Sequence, residues 1–116
     1  MSMSGEIRVR TESKYKNLYN DMRNFALGDM HEFFFLCACL GYKAGKPKEL
    51  GSGAEDRFWS KTFTPDEYAC FYAMILEKKD MELSSIADDK VVIAEMEKYA
   101  NAGMEILIDD FLVLLC

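Results

Sequence analysis

The sequence predicts a mainly α-helical, single small domain of about four to five helices, with at most one short N-terminal β-strand, and three observations lead there. The chain has 116 residues, half of them hydrophobic, which suffices for one core and leaves no room for a second of comparable size. Only 2 prolines and 7 glycines punctuate it, too few for a many-stranded sandwich or barrel that turns at short intervals. Its apolar residues recur mostly at spacings of three and four, the period of a helix face. With 8 Phe, 6 Tyr and 1 Trp to bury, the chain is excluded as a mainly disordered one.

Residues 6–11 (EIRVRT) alternate charged and β-branched apolar side chains, the period of a half-buried strand. Between residues 11 and 27, Tyr15, Leu18, Tyr19, Met22, Phe25 and Ala26 form one apolar helical stripe, and Gly28 is expected to end it. Asp29 and Glu32 stand at the spacing of a capping box and open a second helix. Residues 33–42 are apolar on nearly every side, so this helix is expected at the centre, stopping between 41 and 45 before Pro47. Residues 43–63 hold three glycines and a proline and read as the one long loop, the natural place for function or mobility, with Phe58 and Trp59 folding back as a lid.

Thr64, Pro65, Asp66 and Glu67 give the clearest local signal: a capping hydroxyl, a proline at the first helical position, acids in the first turn and a glutamate in the reciprocal slot. A third helix is predicted from there to about Lys79, with Tyr68, Phe71, Tyr72, Ile75 and Leu76 on its inner face. Ser84 or Ser85 is expected to cap a fourth segment, broken or bent at Asn101-Ala102-Gly103. Residues 104–116 then resume with a closing run too apolar to be left in water, so Phe111, Leu112, Leu114 and Leu115 are expected to dock in the core or form a partner interface.

The net charge of −6 is unevenly placed. Residues 1–48 carry eight basic and five acidic side chains, net +3, and residues 49–116 carry six and fifteen, net −9. Such polarity can orient an encounter with an anionic partner through the first half while the second half repels polyanions. Against that stands the plainer reading of scattered, solvated charges on an acidic protein.

Little in the chain suggests catalysis. The one histidine, His31, has Asp29 and Glu32 nearby as partner acids, but no nucleophile pattern accompanies it, so a hydrolase built on His31 is a distant option that depends on a pocket beside it. No metal ligand set is expected: Asp88-Asp89 and Asp109-Asp110 are adjacent and splay around a helix, and Cys37 and Cys39 point about 200° apart on one. Cys70 stands alone and Cys116 ends the chain, with no C-x-x-C pair. The glycines around Tyr42 to Lys46 and at 51–53 do not match a phosphate loop, so no cofactor is expected. The polar opening residues suggest no secretory leader, and the apolar runs are far short of the ~20 residues of a membrane helix, so a cytoplasmic protein with reduced thiols and no membrane contact is expected.

The sharpest binding reading lies at the start. A strand, an amphipathic helix, a glycine and an apolar helix follow the order of a ribbon-helix-helix unit, in which paired strands of two chains enter a DNA groove. Arg8 and Arg10 would face the nucleic acid, Ile7 and Val9 would pack inward, and Lys43 and Lys46 could touch the same polyanion. The competing reading is an edge strand or an ordered N-terminal arm.

Arg8-Val9-Arg10, the run FFFLCACLGYK at 33–43, the segment 58–80 and EKYANAGMEIL at 97–107 together resemble a small bacterial family, the DNA phosphorothioation-associated protein 4 family. The resemblance spans most of the chain but rests on apolar patterns, and it brings no catalytic motif. It implies a cytoplasmic accessory protein from a bacterial DNA-modification or defence locus. Together with the large apolar surface expected of residues 33–40 and 111–115, it leads to a non-enzymatic adaptor that dimerises or binds a protein of the same locus; direct DNA binding through Arg8 and Arg10 is the alternative.

Overall fold

The computed structural model of the chain describes residues 5–25 and 29–110. Within them a strand β1 (Arg8–Glu12) leads through a short 3-10 turn into helix α1 (Lys16–Phe25) and then helix α2 (Met30–Ala44). A second strand β2 (Ala54–Trp59) and a 3-10 turn precede helix α3 (Pro65–Lys78), and a third 3-10 turn leads to helix α4 (Asp89–Asp110). Among the described residues, four helices and one two-stranded antiparallel sheet make this a mainly helical fold with more β structure than the sequence suggests.

The centre is a helix pair, α2 against α4. Gly41 of α2 and Gly103 of α4 face each other so closely that a Cβ on Gly41 would sit 1.9 Å from the Tyr99 carbonyl oxygen, and one on Gly103 only 1.7 Å from that of Cys37. Both contacts are to backbone, which cannot rotate away. Around this seam Cys37, Ala38, Tyr99, Ala100, Ala102 and Met104 are buried. Asn101-Ala102-Gly103 therefore does not break a helix: α4 runs continuously through it, and the small residues serve close packing. Gly41 likewise lies inside α2, which stops only at Gly45, a left-handed cap with φ 72°.

An aromatic cluster fastens the other elements to this pair. Phe34 of α2 meets Phe58 of β2 at 5.6 Å, Phe63 at 5.7 Å and Phe71 of α3 at 6.3 Å, mostly edge to face. Tyr19 of α1 packs edge to face on Phe33 at 5.0 Å. Phe58 thus closes on the core as expected, whereas Trp59 stays partly exposed.

The expected loop over 43–63 is corrected at its centre, since 54–59 pair with β1. The segment AEDRFW lacks a clean alternation, so its strand character comes from the partner it meets. A bulge between Val9 and Arg10 leaves Arg57 as the extra residue, because Val9 pairs with Phe58 and Arg10 with Asp56. β1 alternates as read, with Val9 and Thr11 buried and Arg8 and Arg10 exposed. Its partner is nevertheless in the same chain, and the Arg10 amide donates to the Glu97 carboxylate of α4 at 2.8 Å, so the strand pair of this fold is not the two-chain ribbon of a ribbon-helix-helix unit.

Helix starts divide between confirmation and correction. Thr64 accepts from the Glu67 amide at 3.2 Å and donates its own amide to Glu67 Oε1 at 2.8 Å, a complete capping box with Pro65 in the first turn. At α2 the Asp29 carboxylate makes no cap hydrogen bond; its backbone oxygen alone takes the Glu32 and Phe33 amides. Asp88, not Ser84 or Ser85, caps α4 through Oδ1 on the Lys90 amide at 2.9 Å, and Asp89 accepts from Tyr72 Oη at 2.7 Å. Gly28 and residues 111–116 lie outside the described residues.

The helix seam yields a direct test. Gly103→Ala gains about 1 kcal/mol of helix propensity. It must also push the paired backbones apart, an overpacking cost of about 3 kcal/mol or more. A net loss of about 2 kcal/mol or more is therefore expected in urea unfolding, and a variant as stable as wild type would show that the helices separate freely.

Candidate functional site

The first turn of α2, the bulge of β2 and the approach to α3 enclose a cleft of about 450 Å³ lined by Asp29, Met30, His31, Arg57, Phe58 and Thr62. That size suits a small ligand, and its wall mixes apolar and charged groups in the manner of a binding site. The pocket on which the His31 option depends is therefore present.

His31 owes its position to two helices. It rides on the first turn of α2, and its Nδ1 lies 2.8 Å from Oε1 of Glu67 on α3, with both side chains nearly buried at 12% and 10% exposure. Glu67 Oε1 already accepts the Thr64 amide, so it acts as an acceptor and the histidine Nδ1–H donates to it. One carboxylate oxygen thus caps α3 and orients the imidazole, turning Nε2 toward Asp29. Nε2 stands 3.6 Å from Asp29 Oδ2, too far for a hydrogen bond.

Arg57 enters the cleft wall because the bulge turns it inward. Its side chain is 5% exposed and held through two of its three nitrogens: Nε donates to Thr11 Oγ1 at 2.8 Å, one terminal nitrogen lies 2.8 Å from Glu55 Oε1, and the same nitrogen donates to the Glu12 carbonyl at 3.4 Å. A buried guanidinium needs such partners, since an unpaired one would be strongly destabilising. Arg57 therefore anchors the sheet more than it offers a free charge to a ligand.

The expected basic residues do not form one surface. Arg8 and Arg10 share the outer face of β1; Arg8 lies 4.4 Å over the Trp59 ring and 3.7 Å from Asp56 Oδ2. Arg10 borders a depression that also holds Glu49, Glu97 and Lys98. Lys46 lines a different one, with Lys48, Glu105 and Asp109. From Glu97 to Glu105 is eight residues of α4, about 12 Å at the helical rise, so carboxylates separate Arg10 from Lys46. Lys43 is exposed in the last turn of α2. The acidic second half thus threads between the cations of the first.

Phe111, Leu112, Leu114 and Leu115 fall outside the described residues. Cys37 is buried in the core and its thiol is pushed up to about 12 by that burial, which makes it inert; Cys39 is half-buried and Cys70 exposed. Among the described residues no helix is long and apolar enough to cross a membrane.

Sequence reasoning missed Glu67 and Arg57 as members of this site. Glu67 was legible only as a cap, because its second partner lies 36 residues away; Arg57 is placed by a bulge that no local pattern announces. No family model, curated protein or solved structure matches the chain.

Glu97, which holds β1 to α4, carries a pH signature. Burial raises its carboxyl pKa above the usual range, and the Arg10 amide and charge oppose that rise only in part. An acid with a raised folded pKa binds its proton more tightly folded than unfolded. It therefore adds stability below the ordinary carboxylate pKa and loses it as pH climbs through that value to the folded one. Glu97→Gln keeps an acceptor for the Arg10 amide, so its unfolding midpoint should fall less than that of wild type as pH rises through this window; parallel pH profiles would refute the assignment.

Proposed function

We propose that the chain is a non-enzymatic accessory protein that acts by association with protein, as a homodimer or with a protein encoded beside it, in a bacterial DNA-modification or defence system. The locus rests on the resemblance to the DNA phosphorothioation-associated protein 4 family, and the association rests on one surface feature. The turn after α3 holds Met81 and Leu83 in water at 67% and 71% exposure. The Met81 amide returns to the Leu76 carbonyl at 2.7 Å, the long bond of a helix-ending Schellman turn, which accounts for the positive φ of 52° at Asp80. It does not account for Met81 itself, a bulky residue at φ 64°. A left-handed backbone at such a residue costs about 1–2 kcal/mol, and here it presents apolar side chains outward. Val91, in the first turn of α4, adds a third exposed apolar side chain to the 79–91 stretch. Burial against a partner offsets such a cost.

A second reading, DNA binding, draws on the outer face of β1, where Arg8 stacks on a partly exposed Trp59 with Arg10 two residues on. On this fold such binding would use the face of a one-chain sheet, with Asp56 and Glu97 weakening it. Duplex DNA titrated at two salt concentrations separates the readings: salt-dependent binding abolished by Arg8→Ala/Arg10→Ala supports the second.

For the first, sedimentation velocity at micromolar concentration should show a dimer, or co-purification should recover a neighbour-encoded partner. Met81→Ser/Leu83→Ser should dissolve that complex while leaving the thermal midpoint within a few degrees, since both side chains are already exposed. A wild-type monomer with no such partner overturns the proposal.

A further inference from the structure

We propose that Asp29, His31 and Glu32 form a binding site for one zinc ion, with Glu67 positioning the histidine and the cleft leaving a coordination position open. One ligand atom from each of the three residues lies within 4.8 Å of the others. Proximity of acids alone would not make a site; what distinguishes this group is the state in which the fold holds each member.

His31 is presented as a metal ligand requires. Its Nδ1–H is consumed by Glu67 Oε1 at 2.8 Å, which fixes the ring and turns Nε2 toward Asp29 as the nitrogen a metal would take. This is the carboxylate–histidine pairing that orients and strengthens a metal-bound imidazole. The pairing is built in, because Glu67 is itself held by the α3 capping box.

Asp29 is the second ligand. As the residue before α2 it would ordinarily spend its carboxylate on the helix amides, yet its side chain makes no such bond. Instead Oδ2 stops 3.6 Å from His31 Nε2. That gap is too long for a hydrogen bond. It is close to the separation of about 3.4 Å between two ligand atoms each about 2.0–2.1 Å from a tetrahedral zinc ion.

Glu32, exposed on the same turn, supplies the third ligand by side-chain rotation alone. Two carboxylates balance the dication and lie where the helix dipole already favours them. A nitrogen and two oxygens suit zinc, and three protein ligands leave a fourth position, filled by water, on the side of the 450 Å³ cleft.

The test uses the full metal-free chain and zinc chloride in calorimetry, with Co²⁺ as the visible substitute. One equivalent should bind, and the Co²⁺ complex should show visible ligand-field bands with no thiolate charge-transfer band in the near ultraviolet. Asp29→Asn/Glu32→Gln should abolish binding while lowering the metal-free unfolding midpoint by only a few degrees, the loss of two acids from the α2 N-terminus. Glu67→Gln should weaken affinity by about 10–100-fold, the usual effect of losing an orienting partner. Absence of saturable binding, binding that survives in Asp29→Asn/Glu32→Gln, or a thiolate band placing the ion on Cys39 or Cys70 would each overturn the proposal.

Discussion

The backbone contact between Gly41 and Gly103 is the constraint on which the rest of this small domain depends. Two helices that touch at carbonyl oxygens leave no gap for a side chain, so their relative position is fixed more tightly than a layer of leucines would fix it. Everything else is hung on the two outer flanks of that pair. Tyr19 and Phe33 bring α1 to one side of α2, while the Phe34, Phe58, Phe63 and Phe71 cluster brings the sheet and α3 to another. A domain of this size has little surface to bury, and removing the spacing at one seam conserves what there is for the aromatic contacts.

The sheet depends on that frame and in turn shapes the cleft. β1 is held to α4 by Glu97 and to β2 by its ladder, and neither strand would be stable as an isolated pair. The bulge then decides the chemistry of the cleft wall, because it places a guanidinium where a regular strand would point that residue to water. Polar groups on this side of the molecule are consequently tied into a connected set running through Thr11, Arg57 and Glu55, with the His31 and Glu67 pair beside it.

How much of this was legible follows from the range of the interactions. The α3 start was readable because its capping box closes over three residues, and α2 as the central helix was readable because residues 33–42 are apolar on nearly every side, although Leu36 stays partly exposed. The glycine and small-residue run at 101–103 misled for a physical reason. Glycine disfavours a helix by about 1 kcal/mol in isolation, and only the partner helix, some sixty residues earlier in sequence, reveals why it is there. β2 was hidden for the same reason, since AEDRFW becomes a strand only beside Arg8–Glu12. The site was half visible. His31 and Asp29 announced themselves as a lone histidine and a nearby acid, but the residue that orients the imidazole arrives from 36 positions away.

The double duty of Glu67 bears on how the chain reaches this state. Its bond with Thr64 closes a three-residue loop and forms with the first turn of α3, whereas its bond with His31 closes over 36 residues and carries a larger chain-entropy cost. In the folded chain the cap holds the carboxylate in the one rotamer that meets the histidine, so the longer closure adds no further ordering of Glu67. The two helix starts thus share a single oxygen, and disturbance of Thr64 would be felt at His31 without any contact between them.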